Sequence, residues 1–167
     1  ASSGLKVEGY GAGSRAYRLC IEGREDVAVR VFREKDIPIQ IALGNYDLGV
    51  CNLAWLAEMQ ARFPEQPVVA LRDMGIGRCG VYAAAAEAAG GTLAYLGSLA
   101  VARSASEYPN LAEAFAMAAR LPTYRVQAVW GAAEAYPPED ADLAIVAAAG
   151  EGALRAQGLR PLFCLLE

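Results

Sequence analysis

Apolar positions along this chain fall into short β-branched runs separated by stretches of helical period, and the pattern is clearest from Val27 to Phe63. Val27–Arg33 reads as a buried strand. Asp36 is placed to cap a helix, with Pro38 in its first turn, Ile37, Ile41 and Ala42 as its apolar stripe and Gly44 to end it. Tyr46–Val50 reads as a second buried strand, with Asp47 its one charge and Gly49 a place where something approaches the backbone closely. Asn52 caps a further helix that runs to about Phe63, with Leu53, Leu56, Met59 and Phe63 on one stripe and Trp55 packing beside it. Strands alternating with helices of this length predict a parallel sheet whose strand ends carry a site.

The alternation continues. Pro67–Met74 reads as a strand ending in a turn at Asp73–Gly77. That turn holds a G-x-G before Arg78, which suits either a tight turn or a place where backbone N–H groups and one cation meet an anion. Residues 86–98 read as a low-complexity connector, Leu99–Arg103 as a strand ending at Arg103, and the stretch from Pro109 or Asn110 as a helix carrying Leu111, Phe115, Ala118 and Ala119. Ser104 and Ser106 fall in the strand-to-helix turn, where they either face a polar ligand or form polar surface. Asp142 opens what reads as the last strand. Residues 1–16, rich in Gly and Ser, read as a loop.

Composition narrows the function classes. With 167 residues, 55% apolar and 20% charged, the chain can bury a sizeable core and reads as globular, not disordered. A net charge of −4 gives no electrostatic reason to expect nucleic acid or an anionic membrane as partner. No apolar run approaches the ~20 residues of a membrane span, and the first residues have neither the charged nor the apolar region of a secretory signal. Cys20, Cys51, Cys79 and Cys164 lie far apart with no C-x-x-C pair, and histidine is absent, so a zinc site is not expected and the cysteines read as buried or free thiols in a cytoplasmic protein.

Four stretches carry a family resemblance. Arg33, Asp36, Ile37, Pro38, Ala42, Gly44, Asp47, Leu48, Gly49 and Val50 spell R-x-x-D-I-P, A-x-G and D-L-G-V; Asp73–Cys79 reads D-M-G-I-G-R-C; Arg103–Leu111 reads R-S-A-S-E-Y-P-N-L; and residues 129–146 hold a strand end, a G-A-A-E, a proline loop and A-D-L-A-I-V. In this order they resemble the catalytic subunits of ATP phosphoribosyltransferases, which open histidine biosynthesis. The resemblance implies a two-lobed α/β fold of the type II periplasmic-binding-protein kind, with residues 1–78 as a first lobe and 79–167 as a second. It begins roughly 25 residues into the family pattern, after a first strand and a Lys-Gly turn, so the first lobe is expected to lack a strand. It also implies cytoplasmic location, a homo-oligomer or a complex with a regulatory subunit, and a reaction joining ATP to phosphoribosyl diphosphate with Mg²⁺. That chemistry rests on charge stabilisation of an oxocarbenium-like ribose and needs no covalent nucleophile.

Carried over residue by residue, the resemblance places Arg33, Asp47 and Gly49 on the first-lobe side of a ligand cleft and Arg103, Ser104, Ser106, Glu134 and Asp142 on the second. It identifies no certain catalytic residue and no protein metal ligand. As a bare pair, Glu134 and Asp142 read equally as solvated surface. One motif departs. After A-D-x-I-V the family has a phosphate loop, D/E-x-x-x-T-G-x-T-L, whose acid holds the ribose hydroxyls and whose threonines and backbone N–H groups hold the 5′-phosphate. Here the acid is Val146, the threonines are Gly150 and Ala153, and the loop glycine is Glu151, followed by Gly152. The family's aspartate and glycine beyond D-L-G-I are likewise replaced, by Ala54 and Asn52. The chain thus reads as a divergent or truncated transferase subunit. The other readings are a catalytically inactive ligand-binding or regulatory paralogue, and a structural subunit that pairs with active ones.

Overall fold

A computed structural model describes residues 6–11 and 13–167. Its main body is a five-stranded mixed sheet made of β4 (Gly80–Ala86), β5 (Ala102–Ser106), β6 (Tyr124–Ala128), β7 (Leu143–Ala148) and β8 (Leu159–Leu166), in spatial order β6-β5-β7-β4-β8. β5 runs parallel to β6 and β7, while β4 runs antiparallel to β7 and β8. The expected all-parallel sheet is therefore corrected to a mixed one, and β7, which Asp142 precedes, is followed by the longer β8.

Every residue of β4 is buried, which places this strand between two covered faces. Its alternating side chains sort into the two cores: Val81, Ala83 and Ala85 join Leu96, Phe115, Leu143 and Ile145 on one face, and Tyr82 and Ala84 join Val146, Leu154 and Leu159 on the other. The first face is covered by α4 (Pro109–Ala118) and, from the N-terminal half, α2 (Leu53–Arg62), whose Ala54 is fully buried in that cluster. α2 therefore packs with residues beyond 79, across the lobe boundary expected from the sequence.

A single carboxylate joins these two helices. Glu58, only 7% exposed, accepts from the backbone N–H of Asn110 (2.8 Å), the side-chain amide of Asn110 (2.6 Å) and the backbone N–H of Leu111 (2.8 Å). The two backbone N–H groups are ones that the first turn of a helix leaves without internal partners, and Tyr108 at the N-cap makes no side-chain cap bond. A residue far away in sequence thus caps α4, with its negative charge at the positive end of the helix dipole. Burial pushes the Glu58 carboxyl up from its ordinary value, while the three donors and Arg62 pull it back.

Residues before 79 match their sequence pattern only in part. α1 (Ile37–Ala42) forms with Pro38 in its first turn and Gly44 at φ +71 beyond its end. Asp36 makes no side-chain cap bond; it closes a 3₁₀ turn, Glu34–Asp36, that leads straight into α1. Asn52 does cap α2, its Oδ1 accepting from the Ala54 N–H at 2.9 Å. The buried stripe of α2 is Ala54, Leu56, Glu58 and Met59, while Leu53 and Phe63 are exposed. Of the strand expected over Val27–Arg33 only β3 (Val29–Arg30) forms, antiparallel to β2 (Arg18–Ile21), which also pairs with β1 (Val7–Glu8). The loop expected over residues 1–16 thus contains β1, and residues 1–5 and 12 lie outside the described residues. Residues 46–50 and 67–74 form no strand and join no sheet among the described residues, and Leu48, Val50, Val69 and Leu71 stay exposed. Their strand pattern is real, but no neighbouring strand among the described residues takes their N–H and C=O groups. The connector expected at 86–98 contains α3 (Leu93–Ser98), capped by Thr92 Oγ1 accepting from the Tyr95 N–H. No helix among the described residues is long and apolar enough to cross a membrane.

Replacing Glu58 tests this cap. Glu58→Gln turns one acceptor into an N–H donor facing N–H groups, and Glu58→Ala leaves the donors unpaired. We expect a loss of about 2–3 kcal/mol for either variant in chemical denaturation, with slower exchange protection lost first at the Asn110 and Leu111 amides. An unchanged denaturation midpoint would refute the cap as a structural tie.

Candidate functional site

The parallel strands β5 and β7 end side by side, and a small cavity of about 60 Å³ opens at their C-terminal ends. Glu107 and Tyr108 border it after β5, Glu134 comes from the 3₁₀ turn Ala133–Ala135, and Val146 and Ala147 belong to β7. Ala132, at φ +53, turns the chain so that Glu134 follows at the rim. Among the described residues, two carboxylates therefore flank the cavity and no basic side chain lines it.

The serines beneath this site hold the strands together. Ser106 Oγ donates to the Ile145 carbonyl at 2.9 Å and accepts from the Tyr108 N–H at 2.8 Å. The fully buried hydroxyl thereby locks the β5–β7 register and the turn into α4. Ser104, also buried, donates to the Arg125 carbonyl at 3.4 Å. Each hydroxyl has only one proton, and both protons are committed to carbonyls of neighbouring strands.

Arg103 and Asp142 sit at the opposite end of the same strands. The strand expected to end at Arg103 runs instead from Ala102 to Ser106, so Arg103 stands at its start. Asp142 Oδ2 accepts from the Arg103 backbone N–H (2.7 Å) and Nε (3.2 Å), Oδ1 accepts from Nη2 (3.0 Å), and Arg103 Nη1 donates to the Glu139 carbonyl (3.2 Å). This bidentate pair raises the arginine pKa further and clamps the entry of β5 to that of β7. It lies a strand length from the cavity, so these two residues do not join Glu134 there.

Of the N-terminal candidates, Arg33 and Asp47 are exposed. Arg33 borders a groove of about 480 Å³ against the β2–β3 hairpin, and Asp47 borders neither cavity. Gly49 is explained by packing: a Cβ there would collide with the Ile37 side chain, so the close approach is made by α1. The G-x-G at Gly75 and Gly77 forms a tight exposed turn, both residues at positive φ, closed by Asp73 Oδ1 accepting from the Gly75 N–H (2.7 Å). Arg78 reaches back to Asp73 at 3.7 Å, so its charge is partnered within the turn. All four cysteines are free.

The loop after β7 is short. Gly150, at φ +153, leads into α5 (Glu151–Ala156), with Gly152 and Ala153 in its first turn. Glu151 is exposed and faces Arg155 one turn on, at 3.5 Å. Glu107 and Tyr108, which sequence reasoning did not single out, were visible inside the R-S-A-S-E-Y-P-N-L stretch but carried no pattern of their own. Glu58 had one available signal, a lone acid between Leu56 and Met59 on the apolar side of a helix.

Three comparisons bear on identity. A family model described as HisG, ATP phosphoribosyltransferase, matches residues 33–167. Among solved structures, one titled as the ATP phosphoribosyl transferase (HisG:HisZ) complex from Thermotoga maritima superposes with a TM-score of 0.71 at 19% identity, over 87% of this chain and 67% of that one. That likeness shows the fold. No curated protein matches.

Tyr108 offers a check on the cavity wall. Its ring packs on Trp55 at 4.6 Å, and burial, together with the nearby Glu107 charge, pushes its hydroxyl up to about 12. A phenol that titrates higher folded than unfolded adds stability that is complete below its unfolded value of about 10 and is lost as pH rises toward 12. We expect stability to fall across that window, and to fall less in Tyr108→Phe. Equal slopes in thermal melts of the two proteins would show that Tyr108 is not shielded.

Proposed function

Because the chain belongs to the ATP phosphoribosyltransferase family, we propose that it is a divergent subunit of that enzyme which keeps the ATP side of the reaction and has lost firm hold of phosphoribosyl diphosphate. In this reading the residues before and after about 79 are the two lobes of a periplasmic-binding-protein-like fold, with substrates meeting between them. The observation that carries it is the sign and size of the strand-end cavity. Glu107 and Glu134 flank it, Glu151 stands in the following turn, and about 60 Å³ suits a few waters rather than a ribose with three phosphates.

The chemistry of the family reading assigns distinct tasks. Displacement at the ribose carbon by N1 of adenine builds positive charge on the ring, and a fixed carboxylate stabilises it. Glu134, half-buried at the rim, is the residue placed for that. Arg103 and Asp142 act at a distance by holding the β5–β7 register that positions Glu134 and Tyr108. The expected Mg²⁺ would arrive with the diphosphate, since such ions use one or two carboxylates plus substrate phosphates, and Glu107 and Glu134 are the carboxylates available. Among the described residues no group of three His, Cys, Asp or Glu is arranged to hold a metal without substrate.

A second reading has its own support. Loss of the loop threonines and the charge of Glu151 suit an inactive, ligand-binding or regulatory paralogue. The solved relative is a complex of two named components, which favours assembly with a second subunit. Homo-oligomerisation and a cytoplasmic setting complete the proposal.

Calorimetry with phosphoribosyl diphosphate and Mg²⁺, on the chain and on Glu151→Gly/Ala153→Thr, tests it. Gly150 is left in place because φ +153 strains any side chain. We expect weak or undetectable binding by the unaltered chain and a gain of about tenfold or more in the variant, from one restored hydroxyl and one charge removed. Micromolar binding by the unaltered chain would return the fully active transferase to first place.

A further inference from the structure

Two loops wall the strand-end cavity, and they are tied to the N-terminal half of the chain in different ways. The wall after β5 is fixed by buried contacts: Glu58 accepts from the Asn110 and Leu111 N–H groups, and the Trp55 ring packs on Tyr108. The wall after β6 carries Glu134 and is held more lightly. It is pinned at Val129, whose buried backbone N–H donates to the Ser106 carbonyl at 2.9 Å, and at Ala133, buried in the same cluster as Val146. Trp130, Gly131 and Ala132 span the gap between these pins, with Gly131 at φ +146 and Ala132 at φ +53 turning the chain.

Trp130 points outward and is 86% exposed. Among the described residues its ring pairs with no other aromatic, but the Lys35 Nζ lies 3.8 Å from its centroid. Lys35 is half-buried and forms no ion pair among the described residues, so the negative face of the indole is the group that offsets its lost hydration. The base of this lysine is rigid. It sits inside the 3₁₀ turn Glu34–Asp36, closed by the Asp36 N–H donating to the Arg33 carbonyl at 2.9 Å, and that turn runs straight into α1. The turn also lies near the cavity, since the charge of Glu34 acts on the Tyr108 hydroxyl. A fixed cation from the N-terminal half therefore grips the middle of the lightly held wall.

We infer that Lys35 and Trp130 are positioning residues for Glu134. The cation–π contact ties the second wall to the N-terminal half, and through Gly131 and Ala132 it sets where the turn Ala133–Ala135 presents the Glu134 carboxylate. The task of that carboxylate at a ribose rests on the transferase reading; its placement by Lys35 does not. Cation–π contacts at exposed sites are weak, so this tie opens far more readily than the Glu58 cap on the other wall. The site thus has one rigid wall and one adjustable wall, and the adjustable one bears Glu134.

The test uses the full chain with no substrate added. Amide exchange is followed by NMR at Ala135 and Tyr136, whose N–H groups close the turn around Glu134 by donating to the Ala132 and Ala133 carbonyls, and at Tyr108 on the other wall. The proteins are the unaltered chain, Lys35→Met, Lys35→Arg, Trp130→Leu and the double variant Lys35→Met/Trp130→Leu. We expect Lys35→Met to speed exchange at Ala135 and Tyr136 by about two- to fivefold, with Tyr108 unchanged. Lys35→Arg should restore the slow rates, because a guanidinium also stacks on an indole. The double variant should exchange no faster than the faster single variant, since both remove one contact. With 5-fluorotryptophan incorporated, Lys35→Met should shift the fluorine signal of Trp130 and leave that of Trp55 in place. Unchanged rates at Ala135 and Tyr136, an equal rise at Tyr108, additive effects in the double variant, or an unmoved Trp130 signal would overturn the assignment. Because no substrate enters this experiment, a chain that fails to transfer phosphoribosyl groups would count against the transferase reading and leave this result standing.

Discussion

The buried carboxylate of Glu58 is the constraint on which the arrangement around the cavity depends. It comes from one helix and satisfies the first N–H groups of another, in a position where water is excluded. An uncapped helix start in that place would leave donors unpaired at a cost of about 1–3 kcal/mol each. With Glu58 in place, α4 begins at Pro109, and Glu107 and Tyr108 are delivered to the end of β5. The Trp55–Tyr108 ring contact lies along the same seam between the helices. Cap, ring contact and the buried Ala54 together make α2 part of the core of the five-stranded sheet.

The two parallel strands beneath are fastened at both ends. At one end, the Arg103–Asp142 fork ties the start of β5 to the start of β7. At the other, Ser106 bridges the Ile145 carbonyl and the Tyr108 N–H. A shift of one residue would turn every side chain of β5 to the wrong face and break both fasteners at once. The polar residues of the motif, Arg103, Ser104, Ser106 and Asp142, are thus engaged in bonds that hold the strands, and the carboxylates at the strand-end cavity belong to Glu107 and Glu134.

Charge is divided unevenly across the molecule. Carboxylates flank the strand-end cavity, while arginines crowd the hairpin groove near the N-terminus. Lys35, resting on the largely exposed ring of Trp130, connects the short turn beside the groove to the loop beyond β6, on the approach to Glu134.

Local signals were enough for much of this. Pro38 and Gly44 bound α1 and Asn52 caps α2, because these depend on backbone geometry within a few residues. The motif order was enough to indicate the family. Tertiary structure decided the rest. Residues 46–50 and 67–74 have strand composition, yet a strand exists only when another offers its N–H and C=O groups, and sequence pattern cannot supply that partner. Arg103 changed from a strand end to a strand start through a shift of three residues in the boundary, and with it moved from the cavity to the far pole. Gly49 proved to be a packing glycine under Ile37, and Glu58 a cap for a helix more than fifty residues away. Each of these outcomes depends on a contact between distant segments, and only the folded chain brings those segments together.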